Sequence, residues 1–81
     1  MVQNVQERVL IQSSKISSSR DVDRLEGRLA DVEGVRDVQV KPQAHTVEIT
    51  YDPTVVSMTA LQAEVERLGY AIDKADKQTE L

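Results

Sequence analysis

Ser18, Asp21 and Asp23 are the residues whose types and spacing come nearest to chemistry. Ser18-x-x-Asp21 has the Ser/Thr-x-x-Asp/Glu form of a capping box, with Ser18 as N-cap and Asp21 as the third helical residue. Asp21 and Asp23 also suit the positive end of a helix. Such a cap contributes typically about 1 kcal/mol, enough to keep serine and aspartate there without any ligand. The rival chemistry is a hard-cation site built from Ser18, Asp21 and Asp23. Ca²⁺ or Mg²⁺, however, takes more oxygen ligands than one helical turn presents.

The remaining candidates are fewer. His45 is the single histidine, so an imidazole-based metal site requires a second chain. Met58 is a possible thioether ligand, yet its spacing to Leu61 and Val65 makes it a core position. Arg20, Arg24 and Arg28 recur every four residues and form a basic stripe. This stripe is either a docking face or a solvated face neutralised by Asp23, Glu26 and Asp31. For catalysis the chain offers no cysteine, no glycine-rich phosphate loop, no nucleophile with a histidine nearby in sequence and no evident pair of convergent carboxylates. The expectation is a protein that binds rather than an enzyme.

The elements that must position these groups follow from periodicity. Arg8 to Gln12 is short and β-branched, and a serine-rich stretch from Ser13 to Ser19 closes it. Val22, Leu25, Leu29 and Val32 fall on one face of a helix that Gly34 stops. Val38 and Val40, a polar turn opening at Pro42, then Val47, Ile49 and Tyr51 read as a hairpin of half-buried strands. Ser57 caps a second helix with the apolar face Met58, Leu61, Val65 and Leu68, stopped by Gly69. Tyr70 to Asp73 is expected to form the last strand, ahead of a polar tail. The order is two successive βαβ halves, an α+β ferredoxin-like plan with a four-stranded antiparallel sheet and two helices on one face. Gly27, in the middle of the first helix, has no role in this scheme and costs up to about 1 kcal/mol relative to alanine.

Composition narrows the partners. The chain has 81 residues, room for one domain with one modest core. We expect a polar extension over 1–6, the domain over 7–74 and a mobile polar tail over 75–81. The net charge of −4 repels a phosphate backbone. Two tyrosines with no Phe or Trp make no platform for stacked bases, so nucleic acid is not an expected partner. No apolar run approaches the roughly 18 residues of a membrane span, and the N-terminus lacks the regions of a signal peptide. The expected location is cytoplasmic, without membrane insertion.

Taken in order, Leu25-Glu26, Leu29, Gly34-Val35, Val38, Val40, Val47-Glu48-Ile49, Tyr51-Asp52, Ser57 to Leu61 and Leu68-Gly69-Tyr70 resemble the heavy-metal-associated domain of copper chaperones, mercury-binding proteins and the N-terminal modules of copper-transporting P-type ATPases. The resemblance runs from about Arg8 to Asp73. It implies that the family's metal loop, Gly-Met-Thr-Cys-x-x-Cys, falls on Lys15 to Asp21, here Lys-Ile-Ser-Ser-Ser-Arg-Asp. The two ligand cysteines then correspond to Ser18 and Asp21, and soft ions select sulfur over these oxygens. No tightly bound metal or other cofactor is expected. The resemblance also implies a docking face on the loop and first helix, with Arg20, Arg24, Arg28 and Tyr70 as its candidates. The implied partner is another protein domain, such as a metal-transporting ATPase, or a second copy. The other role it leaves open is metal binding or transport through oxygen ligands or a site shared between chains.

Overall fold

A computed structural model describes residues 6–78; the first five residues of the expected extension over 1–6 and the last three residues of the expected tail lie outside the described residues. The elements run β1 (Glu7–Gln12), α1 (Ser19–Ala30), β2 (Val35–Lys41), a 3-10 turn (Pro42–Ala44), β3 (Thr46–Tyr51), α2 (Met58–Arg67) and β4 (Lys74–Gln78). The sheet is antiparallel throughout, in the order β2-β3-β1-β4. This is the ferredoxin-like βαββαβ arrangement.

Alternation decides which side of the sheet is covered. Val9 and Ile11 of β1, paired with Ile49 and Val47 of β3, point to one side and are fully buried. They meet Leu25 and Leu29 of α1 and Leu61 and Val65 of α2 in one cluster, so both helices lie on that side. Val32, Met58 and Leu68 pack around its edge, which places Met58 with the core. At roughly 25 cal/mol per Å² of apolar surface removed from water, these side chains are the main support of a fold without disulfides. The opposite side carries Arg8, Leu10 and Gln12 against Thr50, Glu48 and Thr46, none of them buried.

The helix ends explain where the elements stop. Ser57 caps α2, its Oγ accepting the Ala60 N–H at 3.1 Å. Gly34, after α1, has φ +96°, a conformation that side-chain-bearing residues rarely adopt. Its carbonyl accepts the Asp52 N–H at 2.8 Å, joining the end of α1 to the turn after β3.

The last strand corrects the sequence reading. It is formed by Lys74–Gln78 and not by Tyr70 to Asp73, and so takes up most of the segment read as a tail. An edge strand paired only with β1 needs backbone hydrogen bonds more than an apolar face, and charge on it discourages pairing with other chains. Ala75 is its half-buried contact with the core. Lys77 satisfies its charge on Glu7 at 2.8 Å, and the same carboxylate accepts the Tyr51 hydroxyl at 3.2 Å. Asp73 belongs to the connection: its N–H donates to the Gln12 carbonyl at 2.8 Å, and its carboxylate accepts the Ser14 N–H at 2.9 Å.

Candidate functional site

The segment between β1 and α1 is held from three directions. Ser13 and Ile16 are fully buried, so the serine-rich stretch is pinned by one apolar side chain driven into the core. The Ser13 N–H donates to the His45 carbonyl at 2.9 Å. His45 Nδ1 lies 2.7 Å from the Ile16 carbonyl oxygen; a carbonyl only accepts, so Nδ1 carries the proton in this contact. His45 itself has a left-handed backbone, φ 57°, closing the β2–β3 turn. It is exposed as a residue, yet it ties that turn to the loop.

Asp21 is the centre of the site. Ser18 is the N-cap, with extended backbone, and forms a capping box with Asp21. Asp21 Oδ2 accepts the Ser17 N–H at 3.0 Å, the Ser18 N–H at 3.1 Å and the Ser18 hydroxyl at 3.1 Å. Its Oδ1 accepts the Tyr70 hydroxyl at 2.5 Å. Four donors therefore converge on one carboxylate, and the last comes from beyond α2, 49 residues away. Ser18, Asp21 and Tyr70 are brought together, while Asp23 is exposed and is not among the partners of Asp21. Among the described residues, no three His, Asp or Glu side chains gather as a cation site.

These bonds move both titrations. The Tyr70 hydroxyl, followed by the Ser17 N–H, holds the Asp21 carboxyl down to about 2, against an ordinary 3.8. Burial, followed by the hydrogen bond to Asp21, pushes the Tyr70 hydroxyl up to about 12 from 10.0. A depressed carboxyl favours the folded state in full above the unfolded value and loses that contribution as pH falls through the folded value. Asp21→Asn should therefore be less stable than the parent above about pH 4, with the gap closing toward pH 2. For Tyr70 the sign is opposite: the gap to Tyr70→Phe should be complete below about pH 10 and close toward pH 12. Urea unfolding across pH measures both, and gaps that stay constant with pH would refute the coupling.

The sequence reading set Tyr70 among the docking candidates; in the structure it is 5% exposed and its hydroxyl bonds Asp21. Arg20, Arg24 and Arg28 are exposed on α1 as expected. Among the described residues none of the three closes an ion pair, so Asp23, Glu26 and Asp31 do not neutralise them by contact. Arg24 lies near enough to Tyr70 for its charge to oppose the rise in the tyrosine's pKa.

Sequence reasoning missed two anchors of the site. Ile16 stood out only as a lone apolar residue among serines. The Asp21–Tyr70 bond left no local signal, because its partners meet only in the folded chain.

No helix among the described residues is long and apolar enough to cross a membrane. No curated protein matches the chain at a significant level. Among solved structures, it is similar to an inferred copper-ion-binding protein of Bacillus anthracis str. Ames, at 30% identity and TM-score 0.79, covering 88% of this chain and 100% of that one. It is also similar to the N-terminal domain of a potential copper-translocating P-type ATPase of Bacillus subtilis in its Cu(I)-loaded state, at 26% identity and TM-score 0.77 over 94% and 95% of the two chains. Oxidized MerP of Ralstonia metallidurans CH34, at 19% identity and TM-score 0.76 over 86% and 100%, shares the fold. The heavy-metal-associated domain profile matches residues 12–71, which take in the loop, both helices and the strands β2 and β3, and the chain belongs to the heavy-metal-associated domain family.

Proposed function

We propose that this domain is a non-catalytic docking or regulatory module of a metal-handling system, whose family ligand positions hold Ser18 and Asp21 and do not capture soft metal. The observation that carries the reading is the set of four hydrogen bonds converging on Asp21. Cu(I) selects thiolate and thioether donors, and the chain has no cysteine. The two oxygen-bearing side chains are already engaged with each other, with the loop backbone and with Tyr70. Any ion placed there would have to displace donors that already stabilise the carboxylate, so the donor set does not fit the family's cargo.

What the frame retains is a surface. The Asp21–Tyr70 bond ties the loop to the α2–β4 connection, and α1 presents Arg20, Arg24 and Arg28, which close no ion pair among the described residues. Exposed guanidiniums steer an acidic partner and set its orientation more than they add affinity. The partner that suits this reading is another protein domain of the same system, with the N-terminal domain of a copper-transporting ATPase as the first candidate.

The test is association with such a domain in the presence of a metal chelator, followed by isothermal calorimetry at low and raised salt. The proposal expects binding that survives chelation, weakens with salt, and falls by roughly tenfold for Arg24→Glu, about the 1.4 kcal/mol that a reversed contact charge typically costs. Thermal stability of Arg24→Glu should stay within about 0.5 kcal/mol of the parent, as for an exposed site. Association that requires added metal, or that ignores the reversal, would count against it.

A further inference from the structure

β2 lies at the edge of the sheet and pairs with β3 alone, so the backbone groups on its outer side face no other strand. Native edges are commonly blunted by bulges, prolines and charges. Here a register shift between Val35 and Asp37 leaves Arg36 as the extra residue at one end, and Pro42 opens the 3-10 turn at the other. Between them the pairing is regular from Asp37 to Lys41, with Gln39 at the centre.

The side chains of that stretch decide which strand it can accept. Val38 and Val40 stand on the helix side, opposite Ile49 and Val47; Asp37, Gln39 and Lys41 stand on the uncovered side, opposite Thr50, Glu48 and Thr46. Asp37 and Lys41 are exposed and close no ion pair among the described residues. A second copy laid antiparallel on this edge, Gln39 against Gln39, sets Asp37 opposite Lys41 of that copy and Lys41 opposite its Asp37. Val38 and Val40 then face its Val40 and Val38. Opposite charges and β-branched side chains directly across an antiparallel pair both favour it. Moving the axis to Val38 wastes the charges on Gln39 and draws the bulge into the ladder. Moving it to Val40 sets Val38 against Pro42, which has no N–H to give.

The helix side of the edge fits the same arrangement. β2 and α1 leave a cleft of about 280 Å³ whose walls include Ala30, Val35 and Val38, and Val40 of the second copy comes against Val38 at its mouth. The other edge, β4, offers less. Its Lys74 and Asp76 already pair with each other at 3.6 Å, Lys77 is held by Glu7 at 2.8 Å, and its contact with the core is Ala75.

We propose that two copies of this chain associate through β2, antiparallel about a two-fold axis at Gln39, and join their sheets into one. Such a contact is closed and self-complementary. It is also small, so the dimer is weak and transient, with a dissociation constant on the order of 0.1 mM. It uses none of Arg20, Arg24 and Arg28, and therefore stands or falls separately from the docking reading.

The test is sedimentation equilibrium of the chain from about 0.01 to 1 mM, a range that brackets that constant, with amide chemical shifts followed over the same series. Mass should rise toward the dimer, with concentration-dependent shifts concentrated on Asp37 to Lys41. Asp37→Lys and Lys41→Asp each put like charges across the axis twice and should weaken association by roughly tenfold or more. The first of these makes the chain, of net charge −4, less negative, so general repulsion between copies would instead have it associate more tightly. The double exchange Asp37→Lys with Lys41→Asp keeps the net charge, restores both pairs and should restore association. Because both positions are exposed, melting points should stay within roughly 2–4 °C of the parent. A monomer at every concentration, shifts centred on Lys74–Gln78 or on α1, or a double exchange that fails to recover would each overturn the proposal.

Discussion

Exchanging Ser18 and Asp21 together for cysteine is expected to give the chain a tight one-to-one Cu(I) complex, with affinity several orders of magnitude above that of the parent. The reason lies in what the surrounding frame already supplies. Ser18 is the N-cap and Asp21 the third helical residue, so their side chains share the first turn of α1, where the positive helix end favours thiolates. The loop before them is fixed by buried Ile16 and by two bonds to His45. Only donor chemistry is missing. The exchange also removes the carboxylate that ties Tyr70 to the loop, so the metal-free double variant should melt below the parent. Cu(I) should then stabilise the double variant by about 4 kcal/mol at a thousandfold excess over the dissociation constant, offsetting that loss. Competition against a chromophoric Cu(I) chelator under reducing conditions, with unfolding followed in parallel, measures both. A folded double variant that binds no better than the parent would mean that the frame does not place the donors.

Gly34→Ala is expected to cost about 2–4 kcal/mol, the sum of left-handed backbone strain on a side-chain-bearing residue and overpacking. The new Cβ would stand 2.9 Å from Cγ1 of both Val55 and Val56, on a backbone with φ +96°. Neither problem is relieved by a rotamer change at position 34. The loss is a large fraction of the roughly 5–15 kcal/mol that holds a domain together. It also bears on the docking surface, because Gly34 accepts the Asp52 N–H and thereby fastens the end of α1 to the turn that leads into α2. Chemical denaturation gives the number directly. A loss below about 1 kcal/mol would show that the backbone accepts a side chain there and that Val55, 53% exposed, and Val56 give way.

Most of the frame was legible because burial is periodic. Leu25 and Leu29, Leu61 and Val65, and Val47, Ile49 and Tyr51 stand at spacings that only one face of a helix or strand can satisfy, and each is buried. The capping box was legible because its two residues are three apart. The strand at Lys74–Gln78 was not. An edge strand held by backbone pairing carries no apolar alternation, while Tyr70-Ala71-Ile72 imitates one. In the structure Tyr70 is buried as the partner of Asp21 and not as part of a strand. That contact joins residues far apart in the chain, as do the His45 bonds to the loop, and no local pattern announces such pairs.

The two hydroxyl–carboxylate contacts clarify how an acidic domain without disulfides is arranged. Tyr51 and Tyr70 each place a hydroxyl on a carboxylate, Glu7 and Asp21 respectively. Glu7 joins β1 to β4 through Lys77. Asp21 joins the start of α1 to the segment after α2. Each therefore connects elements that are distant in sequence, and the second does so at the opening turn of α1.

The central claim is that oxygen and hydrogen bonds occupy the place where this family presents sulfur to a soft ion. The most direct measurement is titration of the unmodified, purified chain with Cu(I) under reducing conditions against a competing chelator of known affinity. Our account predicts that the chelator keeps the copper and that the chain acquires no stoichiometric ion. One copper held per chain in the face of that competition would contradict it.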